Sequence, residues 1–235
     1  MSLTIKKILP TLAATLMMAS LATPARAESD GDPLEPFNRA VFGFNRVTDT
    51  YIIRPVALGY RYVTPQVVRT HIGNVSDNLY EPVNMVNSLL QGDVTQGFTT
   101  MWRFIINTTV GLGGINDVAS EAGLPRRSED FGQTLATWGL GSGPYIVLPI
   151  LGPSNLRDTT GRVADYFASP AHYYLDSDEE MALGMSQALI TRERWLDPID
   201  DVYNSSLDPY TTFRSMYEQR RARLIRNGGG DTSFE

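Results

Sequence analysis

Proline constrains this chain most, because it falls where helices begin: Asp32-Pro33, Glu35-Pro36, Thr64-Pro65 and Asp208-Pro209. In a first helical turn a proline forfeits no hydrogen bond, and an acid or hydroxyl just before it can cap. Inside a helix it breaks the ladder, so the chain is restricted to helical pieces divided by turns. Apolar residues fit that punctuation. Phe37, Val41, Phe44, Val47 and Tyr51 recur at three or four residues, as do Val67, Val68, Ile72, Val75 and Leu79 after Pro65. Pro82 predicts a new short helix with Val83, Val86, Leu89 and Leu90, closed near Gly92.

Capping boxes mark two further starts. Asp93 with Gln96 precedes Val94, Phe98, Met101, Trp102, Ile105 and Ile106, in a helix expected to end by Gly111, Gly113 and Gly114. Ser177 with Glu180 precedes Leu183, Leu189 and Ile190. A last helix from Pro209 carries Phe213, Met216, Tyr217 and Leu224, with Arg220, Arg221, Arg223 and Arg226 near its negative end and Asn227-Gly228 at its stop. Residues 111–170 are rich in glycine and proline, with a helix expected only over 155–167. One edge strand is expected, Tyr145 to Leu151, ahead of Gly152-Pro153 and a helix starting at Ser154 or Asn155. The expected class is all-α with an irregular Gly/Pro-rich middle segment.

Residues 1–27 read as a cleaved export signal: Lys6 and Lys7, an apolar run from Ile8 to Leu21, then Ala25-Arg26-Ala27. An uncleaved anchor is the alternative. Residues 28–226 then form one helical domain and 227–235 a flexible tail. With 20 Lys+Arg against 26 Asp+Glu, and net charge −6, nucleic acid is not an expected partner. No lysine follows Lys7 and there is no cysteine, which excludes a Walker lysine, a Schiff base, disulfides and thiolate chemistry from the folded part. No cofactor and no metal site is expected.

Gly139-x-Gly141-x-Gly143-Pro144 has the glycines of a phosphate loop in the wrong order of elements. A strand-like run follows them where a helix N-terminus is required, and Pro144 removes an amide. The glycines instead suit positive φ or close packing. His71 and His172 are the only histidines, no nucleophile elbow surrounds Ser142, and the acidic clusters at 176–180 and 197–201 lack calcium-loop spacing. Short amphipathic helices bearing aromatic faces, with Arg39, Arg46, Arg54, Arg61 and Arg69 among them, suit a chain that lies in one leaflet or holds lipid; ion pairs within an acidic chain are the other use of those arginines.

Five stretches in unbroken order carry a resemblance: DPLEPFNRAVFGFNR (32–46), YIIRPVALGYRYVTP (51–65), NLYEPVNMVNSLLQGD (78–93), RFIINTTVGLGGINDVA (103–119) and FGQTLATWGLGSGPYIVLPILGPSNLRD (131–158). They are similar to the MlaA/VacJ family. The resemblance implies a ring of amphipathic helices in the periplasmic leaflet of the outer membrane, with a phospholipid channel through it. It also implies a non-enzymatic role: removing misplaced outer-leaflet phospholipid, in company with a trimeric porin, and passing it to a soluble periplasmic lipid carrier. On the family's pattern, Phe37, Asn38, Gly43, Phe44 and Asn45 would line or gate the channel, with amides toward a polar path and rings toward acyl chains. Ordinary packing of the rings with capping or surface asparagines is the alternative. Pro125, Arg126, Arg127 and Ser128 occupy the place of the family's flexible loop, and Gly139, Gly141 and Gly143 become candidates for the channel wall. Many members are lipoproteins, whereas this chain has no cysteine to acylate. Two other readings stay open: a soluble periplasmic lipid-binding module, and a lipid hydrolase using Ser142 with His71 or His172.

Overall fold

A computed structural model describes residues 32–226; the expected signal, 1–27, and tail, 227–235, lie outside the described residues. Helix α1 (Glu35–Thr48) runs into a π-helical turn (Asp49–Ile53) and then α2 (Arg54–Val63). Pro55 accounts for the wide turn. It has no N–H and crowds the carbonyl four residues back, so the ladder shifts and Arg54 N–H bonds to Asp49 O, five residues back.

Helix α3 (Gln66–Leu90) contains Pro82 instead of breaking there, which corrects the expected pair of helices. Glu81, Val83, Asn84, Asn87 and Ser88 are all buried around the proline, and Asn87 and Ser88 side chains bond to carbonyls one turn back. Tertiary pairing on both sides, Glu81 with Arg103 and Asn87 with Asp165, offsets the roughly 3 kcal/mol that an interior proline costs. Helix α4 (Val94–Thr109) starts as expected, with Asp93 accepting Gln96 N–H at 3.0 Å, but the Gln96 side chain donates to Thr100 instead of completing a capping box.

Short α5 (Val118–Glu121) and α6 (Phe131–Thr137) follow. Strand β1 (Tyr145–Leu148) pairs antiparallel with β2 (Gly152–Asn155), Tyr145 opposite Asn155 and Leu148 opposite Gly152. The single expected strand is therefore a hairpin. Helix α7 (Leu156–Ala168) starts where expected, with Asn155 Oδ1 accepting Asp158 N–H at 2.7 Å. Then come α8 (Ala171–Tyr174), α9 (Ser177–Arg194), α10 (Leu196–Ser205) and α11 (Pro209–Ile225). The capping box of α9 sits one residue earlier than expected, on Asp176 and Glu179, and Asp208 caps α11 as expected.

Among the described residues, eight hydrophobic residues are buried against twenty polar or charged ones, the reverse of a water-soluble core. The polar positions share a face: Asn78, Glu81, Asn84 and Ser88 on α3, and Gln96, Thr100, Arg103 and Asn107 on α4. The opposite face of α4 leaves Phe98 54 % and Trp102 52 % exposed. Much of the apolar stripes read from the sequence on α1, α3 and α4 faces outward, whereas Val83 and Ile190 are buried. Tyr145, Val147 and Tyr210 form an apolar core cluster, with Val41, Phe42 and Tyr217 packed on it. Among the described residues no helix is long and apolar enough to cross a membrane.

Candidate functional site

Phe37-Asn38 and Phe44-Asn45 repeat at seven residues, two turns of α1, so each pair presents its members the same way. Both rings are exposed. Both amides turn to the hairpin. Asn38 Nδ2 donates to Tyr145 O at 3.0 Å while its Oδ1 accepts Val147 N–H at 2.8 Å. Asn45 Nδ2 donates to Leu148 O at 2.9 Å while its Oδ1 accepts Ile150 N–H at 2.7 Å. A carboxamide has the donor and acceptor of a peptide group, so the two side chains stand in for a third strand along the outer edge of β1. This differs from the expected geometry, in which the amides faced a polar path. Gly43 lies between the pairs, and a Cβ there would meet nothing within 4 Å.

The inner clamp has a further layer. Asn38 Nδ2 also lies 3.0 Å from Asp32 Oδ2, and the Tyr210 hydroxyl donates to the same carboxylate. Burial pushes the Asp32 carboxyl up, but the hydrogen bonds from Tyr210, Asn38 and Leu34 N–H outweigh it and hold it below its ordinary value.

The polar interior between α3 and α4 centres on Arg103. Its Nε meets Glu81 Oε1 at 2.8 Å with both side chains almost wholly buried, and its other nitrogens reach Asp117 at 3.1 Å, Ser120 and Leu124 O. Along this face lies the segment expected to be a flexible loop. Arg126 pairs with Asp77 at 2.8 Å, Arg127 with Asp93 at 3.2 Å, Ser128 O accepts from Gln133, and Pro125 is exposed. Next to them Glu129 is buried. Desolvation pushes its carboxyl above the ordinary value against the hydrogen bond from Gln91.

Of the three glycines proposed for the wall, Gly139 and Gly143 have positive φ, +91° and +66°, and all three are exposed. A Cβ on Gly143 would come within 3.0 Å of Leu156. Ser142 O and Pro144 O accept the N–H groups of Arg157 and Leu156, so the start of α7 is filled by the chain's own carbonyls. That is a second reason why no phosphate loop exists here. The Ser142 hydroxyl bonds to the adjacent Gly143 carbonyl, and His172 meets Glu180 at 3.2 Å among the rings of Tyr166, Phe167 and Tyr173.

Sequence reasoning placed Arg221 with the helix-end arginines and missed its task. Its Nη2 reaches Asp130 at 2.6 Å and Asp158 at 3.0 Å, and Tyr217 OH donates to Asp158, which fastens α11 to α6 and α7. Partners 63 and 91 residues away leave no local signal in the sequence.

The family described as MlaA lipoprotein matches residues 30–224. The intermembrane phospholipid transport system lipoprotein MlaA of Escherichia coli is 40 % identical over 222 residues, covering 93 % of this chain and 87 % of that protein. Its namesake in Haemophilus influenzae is 34 % identical, over 84 % of this chain and 80 % of its own. An uncharacterised protein of Rickettsia typhi is 40 % identical over 83 % of this chain and 78 % of its own. A solved chain reported as a structural basis for maintenance of bacterial outer membrane lipid asymmetry superposes with a TM-score of 0.75 at 41 % identity, covering 83 % of this chain and 99 % of that one. Sequence order, helical architecture and the coverage of almost the whole described chain converge: this chain belongs to the MlaA lipoprotein family.

Proposed function

We propose that the chain is the outer-membrane component of intermembrane phospholipid transport and maintains outer-membrane lipid asymmetry, withdrawing misplaced phospholipid from the outer leaflet and handing it to a soluble periplasmic carrier. It is a conduit and not an enzyme. The observation that carries this reading is the inverted burial: polar side chains of α3 and α4 turned inward and aromatic stripes of α1 and α4 turned outward. A polar interior offers a headgroup partners that hydrocarbon denies it, while the apolar exterior keeps the protein in the leaflet. A trimeric porin at the apolar surface, and the aromatic-asparagine pairs and the 125–128 segment as controls on passage, complete the proposal.

Deleting the gene tests it. Phospholipid should appear on the cell surface and the cells should become detergent-sensitive, with both reversed by the wild-type chain; unchanged surface lipid would remove the assignment. A soluble lipid-binding module, the other reading, would instead leave the periplasm as a monomer with stoichiometric lipid. The extent of exposed apolar surface argues against that form.

A further inference from the structure

The π-helical turn opens a cleft of about 230 Å³ that the transport reading has not used. It lies between the end of α1 and α10, lined by Arg46, Asp49, Arg54, Asp200, Tyr203 and Asn204. Both carboxylates that line it are already matched. Arg54 forks onto Asp200, Nε to Oδ1 at 3.1 Å and Nη2 to Oδ2 at 2.8 Å, and Arg192, 8 % exposed behind them, binds Asp49 at 2.7 and 2.9 Å and Asp200 at 3.3 Å. Arg192 Nη1 has no hydrogen-bond partner among the described residues although it is buried. Arg46 has no carboxylate partner among the described residues; its guanidinium carbon is held 5.2 Å from the centre of the Tyr203 ring. The cluster therefore carries three guanidinium groups against two carboxylates and keeps one positive charge, in a chain whose net charge is −6.

A single negative charge with several acceptor oxygens matches that surplus, and a planar guanidinium binds such a group in bidentate fashion. The surroundings choose the form in which it arrives. Val47, Tyr51 and Ile52 are 58 %, 77 % and 61 % exposed, so large apolar side chains project from the same segment of chain that supplies Arg46 and Asp49 to the cleft. We propose that this cleft is a headgroup site for a phosphodiester of a membrane phospholipid, with Arg46 as its principal ligand and the acyl chains against Val47, Tyr51 and Ile52. The proposal rests on the transport reading and adds to it a docking position on the outer surface of α1, apart from the asparagine clamp.

The test places photoreactive benzoylphenylalanine at Asn204 in the full chain, in vesicles of phosphatidylethanolamine and phosphatidylglycerol, and measures lipid adduct by mass spectrometry. A control chain carries the same group at Phe37. Arg46→Gln should lower the Asn204 adduct about tenfold, as loss of one charge-assisted contact would, with Arg46→Lys between the two and near-ultraviolet circular dichroism unchanged. The Phe37 adduct should not respond, and inorganic phosphate or glycerol phosphate at matched ionic strength should leave the Asn204 adduct in place. An Asn204 yield indifferent to Arg46→Gln, alongside normal labelling at Phe37, overturns the cleft alone. Loss of the adduct to soluble phosphate overturns the lipid as occupant, and no labelling at either position overturns the transport reading beneath it.

Discussion

Asparagine is the only side chain besides glutamine that can offer β1 both a donor and an acceptor as a peptide group does, so the two clamps on α1 resist conservative exchange. Asn38 is wholly buried and its partners Tyr145 and Val147 are buried as well. Asn38→Leu should cost about 1–3 kcal/mol for each backbone group left unpaired. Asn45→Leu should cost less, because Ile150 is exposed and water can replace the amide. Urea unfolding in detergent separates the two, and equal losses would contradict the clamp. The sequence displayed both Phe-Asn pairs and their spacing; it hid their direction, because the hairpin they bind lies more than a hundred residues on. Arg103 makes a related point, since an arginine within an apolar-faced helix gave no sign of its buried partner. Arg103→Met should cost about 3–5 kcal/mol by stranding Glu81 in the interior, where burial already pushes that carboxyl up. Adding Glu81→Gln should recover part of the loss in the same unfolding measurement.

At the scale of elements, periodicity located the amphipathic helices because three- and four-residue spacing is local, but it carries no sign for the direction of the stripe. Nor could local rules foresee that packing would carry α3 through Pro82, or that Gly152-Pro153-Ser154-Asn155, without a β-branched or aromatic residue, would pair with β1. Contacts between elements were equally hidden, and one of them makes the fold sensitive to pH. Asp165 of α7 accepts the first N–H of α6, from Phe131, at 3.0 Å and the amide of Asn87 of α3 at 2.9 Å. Burial, aided by the neighbouring Asp130 charge, pushes its carboxyl up to about 6 against those hydrogen bonds. The folded chain thus binds this proton more tightly than the unfolded chain, whose carboxyl has the ordinary value of 3.8. Stability from Asp165 is fully present below 3.8 and is lost as pH rises through about 6. Asp165→Asn should remove that part of the slope of Tm against pH, and a variant with the wild-type slope would place the effect elsewhere.

For the molecule as a whole, the inverted burial meets the absence of cysteine. The family is described as one of lipoproteins, yet this sequence has no thiol to carry a lipid; with residues 1–27 cleaved, as the proposed export signal requires, attachment to the outer membrane would rest on the folded surface. That surface is sufficient in principle. Each large apolar side chain moved fully from water into hydrocarbon contributes about 1.5–3 kcal/mol, and Phe44, Val47, Tyr51, Ile52 and Val56 are all more than half exposed along α1, the π-helical turn and α2. Partial insertion of a few such residues matches or exceeds the marginal hold of one acyl chain. The chain should therefore sediment with outer membranes while its intact mass shows no lipid. Replacing Val47, Tyr51 and Ile52 together with serine should move it toward the soluble fraction without unfolding it, since these side chains pack mainly on the surroundings. Wild-type protein found only in the soluble periplasm would contradict the account. A triple variant that stays with the membrane would shift the burden of attachment from these side chains of α1 and the π-helical turn to protein partners.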